Sequence, residues 1–240
     1  LPLDRLMRKL LTTTSIIVLT LGILLGVADR VGAHLAEQEI AKGVATQLAS
    51  RNITSAPPEV TVTGFPFLTQ VARGNYDEIQ VNLRDLKGGT LPLPLLEAHA
   101  YDVRASLKGL SEGTEKAIAT LVTGLGTLSY ADLVQESGLT GMTLSGDGKN
   151  LRMTGNVGVA GELRGAATVT VIDGKVRIQV IELTASNLSG PAQQLVNSYK
   201  SKLARTFSLP PMPFNLKLES VSPASTGLVI GVSAKEVELG

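Results

Sequence analysis

The sequence predicts an α+β fold dominated by β-structure: a long antiparallel sheet, curved or rolled around a helix, behind an N-terminal transmembrane helix. Three observations carry this expectation. Residues 10–28 form a run of nineteen residues without a charge. From Glu59 onward, apolar and polar residues alternate at period two. Glycine-containing turns separate the alternating runs and no crossover helix joins successive strands, so the sheet should be mainly antiparallel.

The N-terminal run comes first. At ~1.5 Å per residue a helix of this length reaches ~28 Å, close to the ~30 Å hydrocarbon thickness of a bilayer. Arg5, Arg8 and Lys9 precede it and should stay in the cytoplasm, which puts the rest of the chain outside. A permanent anchor and a signal peptide cut after Ala28 both fit, because Gly26-Val27-Ala28 is a small-x-small site. Signal cores usually run ~7–15 residues, and the greater length here favours the anchor. The expected division is therefore residues 1–28 as anchor or signal and residues 29–240 as a single extracytoplasmic β-rich domain. Residues 29–50 continue helically, with Val31, Leu35, Ile40, Val44 and Leu48 expected to pack on that domain.

Ala56-Pro57-Pro58 ends the helical region. The strands that follow are marked by Val60 and Val62; Ile79, Val81 and Leu83; Leu151 and Met153; Val169 and Val171; Val176, Ile178 and Val180; and Phe214, Leu216 and Leu218. Each should have one wet face and one dry face. Gly74-Asn75, Gly146-Asp147-Gly148 and Asp173-Gly174 are expected hairpin connections, and Thr226-Gly227 is a weaker turn signal. Two helices interrupt the meander. Ser129-Tyr130-Ala131-Asp132 resembles a capping box that opens a short helix ending near Ser137. Pro191 opens a longer one, in which Leu195, Tyr199, Leu203 and Phe207 fall four apart. Together these segments suggest one curved sheet around an elongated aliphatic interior.

Composition excludes several classes. Three of the 22 basic residues and one of the 21 acidic ones lie in the first 28 positions, leaving 19 against 20 in the remainder. A domain so near neutrality has no electrostatic footprint for nucleic acid. The absence of cysteine rules out disulfides and thiolate chemistry. Four Phe, four Tyr and no Trp leave an aliphatic core, suited either to filling itself or to enclosing acyl chains.

No catalytic, metal or cofactor site is expected. His34 lies in the helix after the apolar run. His99 shares a strand face with Glu97 and Tyr101, which reads as a polar outer face more readily than as an acid–base pair. Gly146-Asp147-Gly148-Lys149 lacks the full spacing of a phosphate or calcium loop.

One stretch is more distinctive. Thr63-Gly64-Phe65-Pro66-Phe67-Leu68-Thr69-Gln70-Val71, followed by Arg73-Gly74-Asn75-Tyr76-Asp77-Glu78-Ile79-Gln80-Val81, resembles the signature of the LmeA-like family, bacterial envelope proteins common in actinobacteria. The segment at Ser129, the Asp173-Gly174 hairpin and the closing segment from Gly227 to Leu239 follow the same order of elements. The resemblance implies an exported domain like those of the tubular lipid-binding superfamily, with an apolar groove for phospholipid, of phosphatidylinositol type in some members. It also implies a link to mannan assembly on a lipid-anchored glycan, and it carries over no catalytic residues.

The motif has a physical reading as well. Pro66 cannot donate to a ladder, so the chain must bend or lie at an edge there. Phe65, Phe67, Leu68 and Val71 put large apolar groups at that bend, and Gly74 permits a tight turn into Tyr76. These side chains either contact lipid or plug the end of the barrel. Together with Leu195, Tyr199, Leu203 and Phe207 they are the candidate lipid contacts. The expected partners are a phospholipid and the membrane, with any protein partner unspecified. A scaffold for envelope assembly is the rival reading, with Lys200, Lys202 and Arg205 facing an anionic surface. A hydrolase using His99 with Glu97 is the remote one.

Overall fold

The computed structural model describes residues 3–112, 114–187 and 189–239. It opens with a single helix, α1 (Leu3–Ser50). From Ile16 to Val27 its large apolar side chains are bare, with Ile16 63% and Leu19 66% exposed. A core helix of a soluble fold would bury them, so that reading is excluded. The segment is compatible with a membrane anchor or a signal sequence.

The second half of α1 turns a different face inward. Asp29, Ala33, Val44 and Leu48 are buried, with Ala36 and Ile40 packed beside them. Of the expected stripe, Ile40, Val44 and Leu48 do pack inward, whereas Val31 and Leu35 do not and stay exposed. Five residues separate Leu35 from Ile40, which places them about 140° apart around a helix of 3.6 residues per turn.

The strands form two antiparallel sheets, not one, and neither closes. The first runs in the order β1 (Glu59–Val62), β2 (Asn75–Leu86), β3 (Leu93–Arg104), β4 (Ile118–Leu128), β11 (Leu228–Glu238) and β10 (Lys217–Pro223). The second runs β5 (Met142–Gly146), β6 (Leu151–Asn156), β7 (Glu162–Ile172), β8 (Lys175–Ala185) and β9 (Thr206–Phe207). After β4 the chain leaves the first sheet, builds the whole second sheet from consecutive strands, and returns at β10. β10 lies against β7, where the two sheets meet. The buried apolar side chains of both halves form one contiguous core.

Local chemistry accounts for most element ends. Ser129 Oγ accepts the Ala131 N–H at 3.1 Å to cap α4 (Tyr130–Ser137), and left-handed Gly138 closes it. Pro191 sits in the first turn of α5 (Gly190–Leu203). Asp173 and Gly174 both take positive φ and join β7 to β8. In the β5–β6 hairpin, Asp147 Oδ1 accepts the Asn150 and Lys149 N–H groups at 2.6 and 2.9 Å, and Arg152 Nε donates to Oδ2 at 2.8 Å. Those bonds hold the Asp147 carboxyl at about 2. Gly74-Asn75 departs from expectation: Gly74 is the left-handed C-cap of a short helix, α2 (Phe67–Arg73), which leads into β2. A further short helix, α3 (Leu107–Glu112), lies between β3 and β4.

Candidate functional site

The expected lipid-contact residues separate into two groups that lie in different halves of the core. Phe65, Phe67, Leu68, Val71 and Tyr76 surround α2. Phe67 is buried and its ring lies 6.0 Å from that of Tyr76; Val71 and Tyr76 are half-buried. Phe65 is 72% exposed and Leu68 41%. So Phe67 belongs to the core, while Phe65 and Leu68 face outward from the same short segment.

This segment is fastened to α1. Asp29 Oδ1 accepts the Leu68 N–H at 2.8 Å, and Arg30, paired with Asp29 at 2.7 Å, places its guanidinium 5.3 Å from the centre of the Phe65 ring. Gln70 locks the other side. Its Nε2 donates to the Thr63 carbonyl and its Oε1 accepts the Asp77 N–H, both at 2.9 Å. Asp29 and Gln70 were not candidates from the sequence. Their signal is burial of a polar group, which one sequence does not display.

Leu195, Tyr199, Leu203 and Phe207 belong to the second half. The inward face of α5 is Ala192, Val196, Tyr199 and Leu203, with Leu195 at its margin. Phe207 lies beyond the helix in β9, opposite Val176. Tyr199 and Leu203 are buried core, and the Tyr199 hydroxyl donates to the Thr140 carbonyl at 2.8 Å. Lys202 donates to the Gly138 carbonyl, while Lys200 and Arg205 stay exposed.

A third region was not foreseen as a site. Between α1 and the first sheet lies an apolar slot lined by Ile40 and Val44 above and by Ile79, Val81, Ala98, Ala100 and Val122 below. It retains only about 20 Å³, room for roughly one water. Phe214 lines the slot and also borders an open mouth of about 640 Å³ with mixed charge, where Arg51, Lys217 and Lys235 stand among Glu219, Glu236 and Glu238. Arg51 donates to the Met212 carbonyl and to Asn215 Oδ1. Lys217 and Lys235 form no ion pair among the described residues. Phe214 and Asn215 both take positive φ, 55° and 54°. Left-handed backbone is strained for a bulky aromatic and persists where the surroundings impose it.

His99 stays on a partly exposed polar strand face, and only its remote pairing with Glu97 needs correction. Its partner is Glu78 on β2, at 2.6 Å, not Glu97, and its ring stacks on Tyr101 at 6.1 Å. The bond to His99 holds the Glu78 carboxyl below the usual range. Strand register decides the pairing: His99 lies opposite Gln80 on β2, one strand across, where Glu78 reaches it more readily than its own-strand neighbour.

The fold and slot define the class: a β-rich protein whose aliphatic interior is lidded by the end of an apolar helix. The family model for LmeA-like phospholipid-binding proteins matches residues 27–233, and the chain belongs to that family. No curated protein and no solved structure matches it.

Proposed function

We propose that this chain holds phospholipid acyl chains between α1 and the inner face of the first sheet, with the head group at the Arg51–Lys217–Lys235 mouth. The observation that carries the reading is the wholly apolar slot, floored by small Ala98 and Ala100, which meets through Phe214 an open mouth where Arg51, Lys217 and Lys235 stand among Glu219, Glu236 and Glu238. Each buried methylene would stabilise the complex by about 0.8 kcal/mol, so a long tail binds without specific polar contacts. At about 20 Å³ the slot holds no tail in this state. Binding therefore requires the second half of α1, or the Phe214 ring, to move aside.

The bare apolar half of α1 supports permanent tethering, with the body on the extracytoplasmic side. A protein so tethered would draw lipid from the bilayer in which it stands, and support of envelope lipoglycan assembly, mannan included, is the cellular role we attach to it. No catalytic step enters this reading. The nearly closed slot also suits a scaffold that takes up no lipid.

One experiment separates the two. The full chain is reconstituted in nanodiscs containing a phospholipid with a photoactivatable group in its tail, irradiated and digested. Crosslinks to peptides containing Ile40, Val44, Ala98 and Ala100 are expected. Crosslinks confined to residues 10–28 would leave the scaffold standing and remove lipid binding in the slot.

A further inference from the structure

The exposed half of the α2 motif has a role that the slot does not use. Phe65 is one of four phenylalanines in the chain, and it presents 72% of its surface outward beside Leu68. A large apolar group left bare in this way marks a contact surface when others adjoin it. Here Leu68 does, 41% exposed, and Val27, Val31 and Leu35 on the same stretch of α1 are also bare, at 54–58%.

Position along α1 identifies what covers the patch. The uncharged run ends at Ala28, and the Phe65 segment is held to the very next residues. Asp29 accepts the Leu68 N–H, Arg30 donates to the Gly64 carbonyl at 3.3 Å and lies over the Phe65 ring, and Phe67 and Leu68 pack beside Gly32. Arg30 is two residues past Ala28, about 3 Å along the axis. In a bilayer crossed by α1, Phe65 therefore stands at the boundary between acyl chains and head groups. Aromatic and leucine side chains partition into that layer, and an arginine there reaches lipid phosphates.

We infer that Phe65 and Leu68 form a wedge that enters the outer leaflet beside α1, with Arg30 against the phosphates, so that the Gly64–Leu68 segment is a second membrane contact fixing how the body sits on the bilayer. The inference rests on α1 crossing the membrane, part of the reading above, and is independent of the acyl slot.

The chain contains no tryptophan, so one introduced residue reports by itself. Phe65→Trp, Leu19→Trp and Leu125→Trp variants of the full chain are reconstituted in vesicles of phosphatidylcholine and phosphatidylglycerol. Each is compared with lipids brominated near the head-group end or near the terminal methyl of the acyl chain. Leu125 is a matched control, 60% exposed but on β4 opposite Glu97. Phe65→Trp is expected to emit blue-shifted light and to lose most of it to the head-group-end bromines. Leu19→Trp should be quenched chiefly by the deeper ones, and Leu125→Trp by neither. Emission from Phe65→Trp that matches Leu125→Trp, while Leu19→Trp is quenched, overturns the wedge and leaves the anchor intact. No quenching of Leu19→Trp removes the anchor and the wedge with it.

Discussion

The helix covering the second sheet is packed into a sealed core, whereas the helix covering the first leaves a slot over a floor that includes two alanines. α5 buries Val196, Tyr199 and Leu203 in a half built of Met153, Leu163 and Ile178, all almost fully enclosed. α1 sets Ile40 and Val44 above Ala98 and Ala100 and leaves a slot. Packing of the first kind approaches crystal density, and every atom keeps its dispersion partners. Packing of the second kind gives up contacts on one side, so less is lost when the helix moves away. α1 is instead held by polar fastenings along its length: Asp29 to Leu68, Glu37 to the Val62 N–H, and Arg51 to the Met212 carbonyl. Such bonds contribute about 0.5–1.5 kcal/mol each and are remade in water. One half of the molecule is a sealed support and the other a lid.

The comparison breaks most directly at Leu203, which is fully buried. Leu203→Ala should lower stability by about 2–5 kcal/mol, read as a shift in the denaturation midpoint followed by circular dichroism. At the half-buried Ile40 the comparable truncation, Ile40→Ala, should lose no more than about 2 kcal/mol, the lower end of that range. Equal losses at the two positions would remove the contrast. Next in size is Gln70→Leu, which leaves the Thr63 carbonyl and the Asp77 N–H without partners in a buried place. A loss of about 1–3 kcal/mol is expected, with faster hydrogen exchange at the Asp77 amide as the local sign.

Ala100→Leu sharpens the comparison from the other side by filling the slot. Overpacking should cost about 1–3 kcal/mol, and tail crosslinks to α1 and β3 should disappear while the fold persists. Retained crosslinks would place the tail elsewhere. The smallest effect lies in the sealed half. Asp147 carries a depressed carboxyl, so its contribution is complete above the ordinary value of 3.8 and is lost as pH falls towards about 2. Asp147→Asn should flatten the acid limb of the stability curve in that window alone, measured as unfolding midpoint against pH.

Much of this was legible in the sequence, for identifiable reasons. The uncharged run, the Ser129 cap, the Pro191 helix start and the Asp147 and Asp173 hairpins each depend on a few adjacent residues. β4 was harder to read: Gly124 and Gly126 interrupt its alternation, and both face closely packed neighbours that leave no room for a side chain. Phe214 alternates with Leu216 and Leu218 like a strand residue, yet lies in a turn with left-handed backbone before β10 begins. Of the candidate lipid contacts, those near α2 gather in one place and those of α5 in another, and the slot between α1 and the first sheet draws on neither set.

By itself the sequence determined where elements start and stop, and that an apolar helix leads into a β-rich chain, because capping, turn chemistry and side-chain period act over a few residues. Only the tertiary structure decided that the strands divide into two sheets, that α1 turns Ala33 and Val44 inward but Leu35 outward, and that Phe65 is moored beside Arg30. Those outcomes depend on which distant segments bury one another, and burial is a property of the assembled core.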